Sequence, residues 1–262
     1  MTSILRRALS LLRLRFVLQQ FSLAVLVFLL FVLWLRLPDS SIFAVIASAL
    51  LAIIVLAIAL LGEVLLLRRL RALPSTRSQL FRGALAMPLA VLLWFAWSAL
   101  LDHPSVIDGL RAGYWNSRFP HTFRNEFSYT HLMKWLGWLW TSLRWIGTGL
   151  LLLVAVATTQ SSRPARVGLR IWYSGTYWLA FFLSAFLATG ITASLLNWTP
   201  GHGLHVEMIS LALRLGTVVL VDLLLACFVL SVIAALVERA EKRYSTPAGT
   251  PEASQPRTTE IS

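Results

Sequence analysis

The sequence predicts an all-α, polytopic integral membrane protein: a helical bundle of six transmembrane helices, N-in/C-in, with a long outer loop containing short interfacial helices. Three observations predict it. The chain of 262 residues is 58% hydrophobic and only 13% charged, a balance that soluble domains do not reach. It contains six apolar stretches, Phe16–Leu37, Ile42–Leu67, Gly83–Leu101, Leu132–Ala157, Ile171–Leu196 and Leu211–Val237. Each approaches or exceeds the roughly 20 helical residues that cross a hydrocarbon core of about 30 Å. The cations between them fall almost entirely on alternate sides.

That alternation sets the expected orientation. Arg6, Arg7, Arg13 and Arg15 precede the first stretch, Arg68 to Arg82 separate the second and third, Arg163 to Arg170 the fourth and fifth, and Arg239, Lys242 and Arg243 follow the sixth. The positive-inside rule places these segments, and hence both termini, in the cytoplasm. The net charge of +12 therefore reads as orientation and attraction to anionic lipid headgroups, and a nucleic-acid partner is not expected. Only two of the basic residues are Lys, a usage typical of GC-rich bacterial genes. The expected localisation is the inner (plasma) membrane of a bacterium, multi-pass. Cys227 is the sole cysteine, so no disulfide forms within the chain.

Along the chain, residues 4–15 alternate Arg with Leu and Ile and predict a basic amphipathic helix at the cytoplasmic surface. The first apolar stretch is longer than a signal-peptide core and lacks a small-x-small site close behind it, so it reads as an uncleaved anchor. The turn at Pro38–Ser41 makes the first two spans antiparallel neighbours. Pro88 falls near the start of the third span, where its missing N–H is tolerated. Small residues on the fifth span, Ser184 with Ala188 and Gly190 with Ser194, predict close helix packing. Residues 1–243 form one six-span domain; 244–262 are rich in Ser, Thr, Pro and Glu and read as a disordered cytoplasmic tail.

The one long connection, 102–133, is expected outside. Ser105 and Thr122 are its candidate helix caps, with Val106, Ile107, Leu110 and Tyr114 on one face of the first helix. Most of the eleven Trp map to the same outer half, which marks that rim as the busier surface. Arg111, Arg118, Arg124, Trp115 and His131 are the candidate residues there for an amphipathic or lipid ligand, rings at the apolar boundary and guanidinium groups on phosphate. A short internal repeat, Ser142-Leu-Arg-Trp-Ile-Gly-Thr148 against Ala212-Leu-Arg-Leu-Gly-Thr217, hints at two parallel helical hairpins.

Ionisable residues inside lipid are costly and read as functional by default. Arg144 and Asp222 lie at nearly the same distance from the cytoplasmic cations that follow their helices, so the expectation is an intramembrane charge pair between the fourth and sixth spans. Glu63, one turn from Arg68, is expected to snorkel to the interface. His103-Pro-Ser-Val-Ile-Asp108 resembles the His-x4-Asp pattern of glycerolipid acyltransferases, which implies a His base held by an Asp; the family's further motifs and soluble catalytic domain are absent. The histidines offer no metal-ligand set with convincing spacing, and no cofactor is expected.

The function expected from these features is that of a non-enzymatic transporter-like or assembly subunit that engages a lipid or amphipathic ligand at its outer aromatic and Arg rim. Its partners would be membrane lipids and a separate protein subunit, an ATPase or another membrane protein, since no nucleotide motif occurs in the chain. The alternative is an integral membrane enzyme acting on a lipid or lipid-linked substrate at the outer interface.

Overall fold

The computed structural model describes residues 2–37, 41–74, 77–120, 123, 127–198 and 203–245. Every regular element among them is an α-helix: α1 Thr2–Leu11, α2 Leu14–Leu35, α3 Ile42–Leu70, α4 Arg77–Ser105, α5 Asp108–Arg118, α6 Tyr129–Gln160, α7 Pro164–Trp172, α8 Gly175–Leu196 and α9 Leu204–Ser245. Six of them (α2, α3, α4, α6, α8 and α9) are long and apolar enough to cross a membrane. The chain is a multi-pass membrane protein, and its backbone polar groups are satisfied within helices, as lipid demands. Residues 38–40 of the expected turn and 246–262 of the expected tail lie outside the described residues.

The six spans pair as three hairpins, α2–α3, α4–α6 and α8–α9. Polar contacts pin each hairpin toward the end that carries α5. Trp34 Nε1 donates to Ser48 O at 3.0 Å, closing α2 on α3. Trp97 Nε1 donates to Leu143 O at 3.1 Å and Trp94 Nε1 to Thr148 Oγ1 at 3.0 Å, closing α4 on α6. Gly147 makes that approach possible, because a Cβ there would stand 2.2 Å from Trp97 Nε1. Arg214 of α9 donates to Leu195 O at 3.3 Å and to Trp198 O, closing α9 on the end of α8.

The hairpins are joined to one another at the opposite end, the termini end, where α1 packs on α9. There the C-terminal half of α9, Cys227 to Val237, is buried together with Val64 and Leu67 of α3, Leu153 and Val156 of α6, and Tyr177 and Phe181 of α8. The Tyr177 hydroxyl donates to Gly149 O at 2.5 Å, linking α8 to α6. Toward the α5 end the apolar side chains stay exposed, among them Phe28, Ile46, Leu92, Phe186 and Leu213. In lipid such exposure is solvation rather than a penalty.

The interfacial elements depart from expectation in instructive ways. The N-terminal helix ends at Leu11, short of Arg15, and docks Ile4, Ala8 and Leu11 on α9. The fifth span does not begin at Ile171, because the chain breaks at Tyr173-Ser174 and starts again at Gly175. The residues before the break form α7, with Pro164 in its first turn, Val167 and Ile171 buried, and Arg163, Arg166 and Arg170 flanking that buried face. The i, i+4 spacing of Val167 and Ile171 carried that amphipathic signal.

In the long loop, Ser105 is not an N-cap. It closes α4, its hydroxyl donating to Asp102 O, while α5 starts at Asp108, whose carboxylate sits favourably in the first turn. Ser128, rather than Thr122, caps α6, accepting from His131 N at 3.4 Å; Thr122 lies outside the described residues. Of the fifth span's small pairs, Ser184 is buried, whereas a Cβ at Gly190 would meet nothing within 4 Å.

Candidate functional sites

Of the residues expected at the outer rim, Arg111, Trp115 and Arg118 lie on α5 and His131 in the first turn of α6. Asp108 is buried at 5% exposure, and its carboxylate accepts from Trp140 Nε1 and, at 3.2 Å, from Arg111 Nη1. Arg111 Nη1 also donates to Pro104 O at 2.9 Å. Ala112 on the same face packs with Leu132 and Leu136 of α6. Arg111 is thus engaged in holding α5 down, and its charge is matched within the protein. Trp115 and Arg118 are exposed, with Arg118 5.2 Å from the centre of the Tyr114 ring. His131 is exposed in the first turn of α6, and Arg124 lies outside the described residues. The four described rim candidates do not converge on one pocket. Leu110 and Tyr114 of α5 are exposed, as are Val106 and Ile107, which precede the helix rather than sharing its face.

The expected Arg144–Asp222 pair does not form. Arg144 Nη2 pairs with Asp102 Oδ1 at the end of α4. The reason lies in the hairpins: α6 packs along α4, whereas α9 shares its buried core with α6 near the termini end. Equal depth in the sequence was not adjacency in space. Nor does the acyltransferase-like dyad assemble, because Asp108 is taken by Trp140 and Arg111 while His103 is exposed in the last turn of α4.

Asp222 is exposed on α9, in the middle of its apolar run, with neither an ion pair nor a hydrogen-bonded partner for its side chain among the described residues. The other intramembrane carboxylate behaves differently. Glu63 is turned inward and accepts from Gln20 Nε2 at 3.0 Å, so it does not snorkel to the surface.

A polar knot that the sequence reading missed ties the hairpins together at the termini end. Arg68 is only 3% exposed; its Nη1 donates to Thr159 O at 2.8 Å and its Nη2 to Pro74 O and Gln79 Oε1. Gln160 Nε2 donates to Leu67 O at 3.0 Å. Arg71 donates to Gln160 O at 3.3 Å and pairs with Glu241 of α9 at 2.7 Å. Thr159 O and Gln160 O are among the last carbonyls of α6, which lack partners inside their helix and sit at its negative end. Two guanidinium groups satisfy them. The signal in the sequence was Thr-Gln at the close of an apolar run, set against two Arg at the close of another.

No group of three or more His, Cys, Asp or Glu able to hold a metal occurs among the described residues; His121 and His202 lie outside them. Comparison of the chain with family models, curated proteins and solved structures found no match.

Proposed function

We propose that the protein is a non-enzymatic membrane subunit whose bundle is completed by a different membrane protein, with α9 as the docking helix. The observation that carries this is Asp222. A carboxylate at mid-helix costs about 2.5–3.5 kcal/mol on insertion scales, and protonation removes the charge but leaves a donor and acceptors unsatisfied in hydrocarbon. Glu63, Arg144 and Arg214 each have a partner within the chain; Asp222 has none among the described residues.

The chemistry of the partner follows from what the described residues do not offer Asp222. A second copy would have to offer a free cation at the depth of Asp222, and the two Arg nearest that depth are committed to Asp102 and to the end of α8. The fitting occupant is a transmembrane helix of another protein carrying Lys or Arg near its middle. The Arg distribution supports a cytoplasmic location for both termini in a bacterial inner membrane. Trp115 and Arg118, open on α5, support a second reading in which the rim also contacts an amphipathic ligand.

A photo-crosslinking residue at Val219, exposed one turn from Asp222, tests the proposal in native membranes. The expected adduct is a second polypeptide with a basic residue inside a span, lost in Asp222→Leu while the variant remains folded. An adduct that survives Asp222→Leu, or one with lipid alone, would refute it.

A further inference from the structure

A cavity of about 660 Å³ opens between α2 and α3 near the termini end of the bundle. Its lining is segregated. Arg15 and Arg69 stand at one end, Gln19 follows, and Leu18, Leu65 and Gly62 carry the wall deeper into the apolar zone. The antiparallel hairpin produces this order, since Arg15 begins α2 where Arg69 ends α3. From Arg15 to the level of Ser22, another lining residue, the helix rises about 10 Å, enough for several methylenes of an acyl chain. No Asp or Glu lines the cavity; Glu63, the neighbour of Gly62, is turned away to Gln20. Arg15 and Arg69 are both exposed and have no acidic partner among the described residues. Two unmatched guanidinium groups therefore share one mouth above an apolar trough.

We infer that this groove is a binding site for an anionic phospholipid of the adjoining leaflet, its phosphate between Arg15 and Arg69 and one acyl chain along Leu18, Leu65 and Gly62. Arg suits the task because its planar fork meets phosphate oxygens in pairs, and basic pockets between spans on the cytoplasmic side are a recurrent form of headgroup recognition. The floor is shaped by Gly62, where a Cβ would stand 2.6 Å from Leu23 Cδ1. A larger residue there would displace Leu23 into the trough. The inference is independent of Asp222 and of any protein partner.

The test uses the full chain in detergent, with lipid binding read by native mass spectrometry and by melting temperature. Phosphatidylglycerol should bind and raise the melting temperature, while phosphatidylcholine and inorganic phosphate should not. Arg15→Gln with Arg69→Gln should weaken phosphatidylglycerol binding by about 30-fold, the loss of about 1 kcal/mol for each cation. Ser22→Phe, which fills the deep end without touching a charge, should weaken it as well. Arg13→Gln with Arg77→Gln removes the same charge outside the cavity and should leave binding within about threefold. Equal binding of the two lipids, stabilisation by phosphate alone, or equal losses in the two double variants would overturn the inference.

Discussion

Arg68→Met removes the most deeply buried cation of the polar knot while keeping an apolar stem of similar reach. Three acceptors lose their donor: Thr159 O, Pro74 O and Gln79 Oε1. Their losses are unequal. Pro74 is exposed and Gln79 only partly buried, so water replaces the guanidinium at both. Thr159 is 1% exposed, and its carbonyl belongs to the last turn of α6. Leaving that acceptor unsatisfied costs about 1–3 kcal/mol. Methionine also spares the desolvation of a buried charge, which offsets part of the loss. The expected net destabilisation is about 1–2 kcal/mol, equivalent to a melting temperature about 2–8 °C lower for a chain of this size. Arg69→Met is the matched control, one residue away, exposed and without a partner among the described residues; it should change stability by less than about 0.5 kcal/mol in detergent free of added lipid. Thermal unfolding of the two variants, followed by circular dichroism, is the assay. If Arg68→Met melts at or above the wild type, or no lower than Arg69→Met, the knot does not hold the hairpins together.

Two further outcomes are expected. A double-mutant cycle on Arg144→Leu and Asp102→Leu should give a coupling of about 0.2–1 kcal/mol, modest because both side chains are well exposed; the cycle on Arg144→Leu and Asp222→Leu should be additive, and coupling there with none to Asp102 would reverse the assignment. Reporter fusions after Leu73 and Tyr244 should read as cytoplasmic and a fusion at Asn116 as external; an external reading at Leu73 would break the six-span threading.

The positions of the spans were legible in the residues because hydrocarbon imposes a local rule. Each crossing helix must satisfy its own backbone and present apolar side chains, whatever its neighbours do. The apolar run from Ile42 to Leu67 therefore lies within α3, and that from Leu211 to Val237 within α9. The break at Tyr173-Ser174 was harder to read, since the apolar run continues across it and only the spacing of Val167 and Ile171 set α7 apart.

Which helices touch was not legible, because lipid is as apolar as the helices themselves and hydrophobicity does not choose partners among them. Depth could be counted from the flanking cations; azimuth and neighbour could not. That is why Arg144 and Asp222 looked paired, while the structure gives Arg144 to Asp102 on its own hairpin and leaves Asp222 facing outward. The same reason hid the knot of Arg68, Arg71, Gln160 and Glu241, whose members come from three helix ends far apart in the chain. It also hid the trough beneath Arg15 and Arg69, which exists only because α2 returns as α3 in antiparallel register. Local composition specified the spans one at a time, and the few polar and small side chains that packing brought together decided everything between them.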